Sequence, residues 1–247
     1  MYLGTPQEAS AWAQAFGAQW LSDLDAWVNC VIFPPFTALP AAYSHFKTTP
    51  AALGGQNFHL GQNGAFTGEI ALPMLKSLGA SWVLVGHSER RQHFNESDAQ
   101  VSAKVRHALE AGFRVMLCLG EPLAIRQANK EAEFVVAQLH SAISGLAPLL
   151  CQQLAVAYEP IWAIGTGVAA TPEAITPIHA ALRHSLVAKL GDLGQRVPLL
   201  YGGSVNPANA RQLAQIRPLD GFLVGSASLE PSSFIALAKA WKAALAK

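Results

Sequence analysis

Thr5-Pro6-Gln7-Glu8 opens the first recognisable element of the chain, with only four residues ahead of it. Threonine at the cap, proline at the first helical position and glutamate three residues on form a capping box, and an apolar-rich sequence follows to about Leu24. A helix is therefore expected first. Downstream, short β-rich runs alternate with helical patterns. The expected strands are Val28–Phe33, Ala52–Asn57, Trp82–Val85, Arg114–Leu119, Leu154–Tyr158, Pro198–Gly202 and Gly221–Val224. Between them apolar residues recur at helical spacing, as in Val101, Val105 and Leu109, or Val135, Leu139, Ala142 and Leu146, or Phe234, Trp241 and Leu245. Thr171-Pro172 and Asn206-Pro207 each set a capping side chain before a proline, which marks a helix start. Repeated β-then-α units imply parallel strands with right-handed crossovers, covered by helices. Pattern alone suits either a doubly wound open sheet or an eight-stranded barrel. The opening helix decides between them: in a βα repeat a helix follows a strand, and four residues cannot supply a strand and its loop. The expectation is an α/β protein with a (β/α)8-type barrel, strand 1 absent and seven strands recognisable.

At 247 residues, 51% hydrophobic and 13% charged, the chain can bury one large core, and no Gly/Ser-rich, Pro-rich or charged stretch is long enough for a linker. One domain over 1–247 is expected. A net charge of +1 argues against a nucleic-acid surface or a polybasic membrane surface. A small anion is still admissible, because backbone N–H groups bind phosphate without lysines. Cys30, Cys118 and Cys151 are widely spaced and lack metal-ligand spacing, which suits a reducing compartment. Met1-Tyr2-Leu3-Gly4-Thr5 has neither the basic nor the apolar region of a signal peptide, and no apolar run reaches membrane-spanning length. A cytoplasmic protein is expected.

Glu159 ends the run Leu154–Tyr158 and is followed at once by Pro160-Ile161-Trp162-Ala163-Ile164-Gly165-Thr166-Gly167. A carboxylate at a strand tip beside a loop able to fold over it meets the needs of proton abstraction in a sealed pocket, although strand-end carboxylates also serve as surface or capping groups. His87 lies just past another strand tip, in Gly86-His87-Ser88-Glu89-Arg90-Arg91. A helix beginning there disfavours added positive charge and favours neutral imidazole, which can donate a hydrogen bond to a developing oxyanion. Tyr201-Gly202-Gly203-Ser204-Val205-Asn206 and Leu223-Val224-Gly225-Ser226-Ala227-Ser228-Leu229 follow the last two strands. Each could be an ordinary tight turn. Together, on the final strands of a barrel, they have the form of a phosphate cradle.

These segments, with Gly64-Ala65-Phe66-Thr67-Gly68-Glu69 and Cys118-Leu119-Gly120-Glu121, occur in the order and at about the spacing of triosephosphate isomerase, which the chain resembles from about Thr5 to its C-terminus. The resemblance implies a TIM (β/α)8-type barrel, a homodimer joined through loop Gly64–Glu69, and interconversion of dihydroxyacetone phosphate and D-glyceraldehyde 3-phosphate in glycolysis and gluconeogenesis. It implies no cofactor and no metal. By carry-over Glu159 is the base and His87 the neutral electrophile, while Gly165, Ser204, Gly225 and Ser226 bind the substrate phosphate. Pro160–Trp162 is the first hinge of a lid with its tip at Ala163–Thr166, Tyr201 and Ser204 hold the lid when closed, and Glu89 is a supporting charge.

Three positions depart from the family pattern. Ser226 stands where a second glycine is common, and Val168 where a hinge lysine is frequent. The family's first strand ends in an Asn-x-Lys motif, often followed by Met. Met1 here falls at that methionine, and no lysine or arginine precedes Lys47. The expectation is that Met1 is an internal methionine of a longer protein, and that without the missing segment the chain is weakly active or inactive, and poorly stable or associated through its open edges. A non-catalytic barrel that binds a phosphate ligand is the alternative reading. A Schiff-base aldolase needs a strand-tip lysine, and none of the expected strands ends in one.

Overall fold

The computed structural model describes residues 2–23, 28–164 and 170–245. Seven strands lie parallel in chain order, β1 (Val31–Ile32), β2 (Ala52–Gly55), β3 (Ala80–Val85), β4 (Arg114–Leu119), β5 (Leu154–Tyr158), β6 (Leu199–Tyr201) and β7 (Gly221–Phe222), in one curled sheet. Helices α1 (Pro6–Asp23), α2 (Leu39–Phe46), α3 (Leu72–Ser77), α4 (Ser88–His93), α5 (Asp98–Glu110) and α6 (Leu123–Gln127) cover its first half. Helices α7 (Glu131–Ile143), α8 (Pro172–Leu190), α9 (Asp192–Arg196), α10 (Ala210–Leu213) and α11 (Pro231–Leu245) complete the layer.

The expected capping box forms: Thr5 Oγ1 accepts from Glu8 N at 3.2 Å and Glu8 Oε2 accepts from Thr5 N at 3.0 Å. Thr171-Pro172 also begins α8, with the proline in its first turn but without a capping bond from the Thr171 side chain. Asn206-Pro207 does not begin a helix directly. Asn206 Oδ1 accepts from Ala208 N and Asn209 N, closing a side-chain turn, and α10 starts only at Ala210.

Strand periodicity sorts side chains to two faces. Val83, Val85, Val115, Leu117, Leu119, Val156, Tyr158, Leu199 and Tyr201 pack outward into the helix layer. Leu84, Met116, Cys118, Ala155 and Ala157 form a smaller cluster on the other, concave face, with Phe33, Trp82, Leu200 and Leu223 against it. The same parity carries Gly120 and Glu159 onto the concave face at the C-terminal ends of β4 and β5.

Tyr158 points the opposite way, and its ring meets His179 of α8 edge-on at 5.8 Å. His179 is wholly buried and, among the described residues, neither ring nitrogen has a hydrogen-bond partner. Burial, reinforced by Arg183, lowers its pKa from 6.5 to about 4. The folded state therefore binds this proton less readily than the unfolded chain. The stability it permits is complete above pH 6.5 and is lost as pH falls toward 4, by about 3 kcal/mol. Denaturant titrations stepped from pH 7 to 4 are expected to show His179→Phe losing about that much less stability than the unsubstituted protein. Equal losses would contradict the assignment.

Candidate active site

Glu159 is the first residue beyond β5, and its backbone N–H donates to the Leu119 carbonyl at 2.7 Å, which locks it to the tip of β4. The side chain is 2% exposed. Glycines let the neighbouring strand tips close on it. A Cβ at Gly120 would stand 1.7 Å from the Glu159 carbonyl oxygen, and one at Gly202 would stand 3.0 Å from Glu159 Cγ.

Both carboxylate oxygens have partners. Oε2 accepts from Ser88 N at 2.8 Å, and Oε1 lies 3.1 Å from His87 Nε2. Burial pushes the carboxyl's pKa up, while His87 and the Ser88 N–H oppose that rise. The result is a carboxylate made more basic by desolvation yet still held by two donors. Cys118 is fully buried beside it, and burial together with the Glu159 charge holds the thiol protonated.

His87 caps α4, its Nδ1 accepting from Glu89 N at 3.3 Å. An Nδ1 that accepts carries no proton, so the ring's proton sits on Nε2, directed at Glu159. Arg91 stays close behind, its Nε donating to the Gly86 carbonyl at 2.8 Å and its Nη1 to Asp98 Oδ1 at 2.6 Å.

The segment after Glu159 is anchored on both flanks. Trp162 Nε1 donates to Glu121 Oε1 at 2.7 Å and Tyr158 Oη to the same oxygen at 3.0 Å. Arg126 Nη1 lies 3.5 Å from that oxygen, with its guanidinium 5.2 Å from the Trp162 ring centre. On the far flank the Ala170 N–H donates to Tyr201 Oη at 3.2 Å. Gly165, Thr166, Gly167 and Val168 lie outside the described residues.

Ladder bonds continue past the strand ends: Gly202 N donates to the Tyr158 carbonyl at 2.8 Å and Leu223 N to the Tyr201 carbonyl at 2.9 Å. These bring the Ser204 and Gly225 turns to the same end of the sheet as Glu159 and His87. The Ser204 carbonyl accepts from Asn209 Nδ2 at 3.0 Å. Gly225 and Ser226 are exposed, with open space where a Gly225 side chain would stand.

Of the residues expected from sequence, Glu159 and His87 are in contact, and Ser204, Gly225 and Ser226 lie on adjoining turns. Sequence reasoning gave no role to the Ser88 N–H, to Gly120 and Gly202 as the walls around Glu159, or to the Glu121–Tyr158–Trp162–Arg126 group. Glu121 was visible only as the end of a motif. Its buried position, 0% exposed, is set by tertiary packing. Among the described residues no group of three or more His, Cys, Asp or Glu side chains is placed to hold a metal ion.

A sequence model of the family described as Triosephosphate isomerase matches residues 1–241. A triosephosphate isomerase of Solibacter usitatus is 42% identical over 234 residues, 94% of this chain and 93% of the relative. One of Nitratidesulfovibrio vulgaris is 44% identical over 232 residues, covering 93% and 92% of the two chains. A third, of Thermus thermophilus, is 41% identical over 234 residues, covering 94% and 92%.

Proposed function

The chain belongs to the triosephosphate isomerase family, and from that premise we propose that it interconverts dihydroxyacetone phosphate and D-glyceraldehyde 3-phosphate through an enediolate. One observation carries the reading: a buried carboxylate made more basic by desolvation is held by a peptide N–H and faces the His87 Nε2 at 3.1 Å. Glu159 removes a proton from the carbon beside the carbonyl and returns it to the neighbouring carbon. His87 donates through Nε2 to the substrate oxygen that gains charge, then passes protons between the two oxygens. Each Glu159 oxygen has one donor and keeps a further lone pair with which to take a carbon-bound proton. Preorganised donors in a dry site make so weak a carbon acid ionise.

Ser204, Gly225 and Ser226 hold the phosphate by backbone N–H groups, and Gly165 joins them from the lid. Trp162, clamped to Glu121, is the fixed side of the first hinge. Tyr201, bonded to Ala170, holds the second flank. A homodimer formed through Gly64–Glu69 is supported by an apolar side chain exposed within that loop: Phe66 is 50% exposed. The three free, buried thiols suit a reducing cytoplasm. No described helix is long and apolar enough to cross a membrane.

Dihydroxyacetone phosphate tritiated at the carbon that Glu159 deprotonates tests the reading. The expected result is enzyme-dependent release of tritium to water. Saturable binding without exchange would instead identify a phosphate-ligand binder.

A further inference from the structure

Trp12 lies on α1, remote in sequence from every residue of the site, yet its Nε1 donates to the Ser228 carbonyl at 3.0 Å, across 216 positions. Ser228 ends the 3-10 turn Ser226–Ser228 that follows β7. It holds the preceding carbonyl twice: both Ser228 N, at 2.9 Å, and Ser228 Oγ, at 2.6 Å, donate to the Gly225 oxygen. That oxygen shares a peptide plane with the Ser226 N–H, and in a trans peptide the two point in opposite directions. Drawing the Gly225 carbonyl toward Ser228 therefore aims the Ser226 N–H away from the turn, on the exposed side.

Trp12 is itself immobilised. Its ring stacks on Phe16 at 4.8 Å, with Phe46 at 6.4 Å and Phe234 of α11 at 6.3 Å. Phe16 in turn stacks on Trp20 at 5.0 Å. An indole set in a rigid aromatic cluster, with its one polar atom on the Ser228 carbonyl, is a fixed post for the turn. A phenylalanine keeps an aromatic ring in the cluster and removes the bond, while Ser228→Ala leaves the indole in place.

We propose that Trp12 is a positioning residue for phosphate recognition: acting through Ser228, it orients the Gly225–Ser226 peptide that receives the substrate's phosphate group. This rests on the reading of that turn as the phosphate cradle. The role belongs to affinity for the dianion and not to the proton transfers at Glu159.

The test uses the full chain, with inorganic phosphate as the probe. Trp12→Phe is expected to raise KM for triose phosphate and the competitive inhibition constant of phosphate together, by about 3- to 10-fold, as befits one hydrogen bond. Turnover should stay within about twofold, since the acid–base pair is untouched. Ser228→Ala removes the Oγ bond without disturbing the aromatic cluster and is expected to move both constants the same way, which keeps the test open if Trp12→Phe folds poorly. A lowered melting temperature with both constants unchanged in either variant would show a merely structural role and overturn the proposal. Ser226→Pro, which deletes the aimed N–H, separates the two levels of inference. If phosphate fails to compete in the unsubstituted enzyme and Ser226→Pro leaves KM unchanged, the cradle reading falls and the Trp12 role with it. If phosphate competes and Ser226→Pro weakens it while Trp12→Phe does not, only the role of Trp12 falls.

Discussion

Glu159→Gln is expected to lower turnover of triose phosphate by about 10²- to 10⁴-fold, the range for loss of a positioned general base. The amide keeps the side chain's size, and its oxygen can still accept the Ser88 N–H. It cannot take a proton from carbon. Stability should move little, because relief of a buried charge is offset where the amide NH2 meets the His87 Nε2–H. The Glu159 pKa is raised on folding, chiefly by burial, so above its folded pKa the charged carboxylate opposes folding, and a neutral amide removes that cost. A coupled assay beside a urea titration at pH 7.5 checks both halves. Near-normal turnover in Glu159→Gln would remove this residue from the mechanism. A large fall in stability would show that the carboxylate is structural.

Gly120→Ala should damage both quantities. The added methyl would stand 1.7 Å from the Glu159 carbonyl oxygen and 2.7 Å from its carbonyl carbon, both of them backbone atoms. No rotamer change can relieve the clash, so the ends of β4 and β5 must separate, and the Glu159 N–H bond to Leu119 stretches with them. Overpacking against side chains commonly costs about 1–3 kcal/mol, and a clash with fixed backbone belongs at or above the top of that range. Displacement of the carboxylate is expected to lower turnover by at least about tenfold, since proton transfer requires hydrogen-bond reach. Gly17→Ala is the matched control. It sits within α1 with no heavy atom near the added methyl, and is expected to stabilise by about 0.5–1 kcal/mol through helix propensity. If Gly120→Ala were as benign as Gly17→Ala, the tips of β4 and β5 would not be in backbone contact at Gly120.

Central strands were legible in the sequence almost to the residue. Arg114–Leu119 and Leu154–Tyr158 are β4 and β5 as expected, because buried strands between two neighbours are continuous apolar runs with abrupt ends. The outermost ones were overdrawn: Val28–Phe33 reduces to Val31–Ile32 and Gly221–Val224 to Gly221–Phe222. Each has one neighbouring strand among the described residues, and a ladder extends only as far as that partner follows. Glu159 and His87 could be read because each stands in a contiguous motif beside a strand tip. Gly120 as a wall of the Glu159 site, and Glu121 as the acceptor for Trp162, could not. Each depends on a segment more than thirty residues away, and neither leaves a local periodic trace. The Asn206-Pro207 signal failed for a different reason: a side chain able to cap a helix can equally close a turn, and here Asn206 does so.

Because strand order follows chain order without a single exchange, each new strand leaving the ribosome finds its neighbour already made. Pairing can then proceed one unit at a time behind the growing end, with no early strand waiting for a distant partner. The tips carrying His87, Glu159 and Ser204 would be completed in that order. The Trp12 bond to Ser228 would follow them, joining the oldest helix to one of the youngest turns.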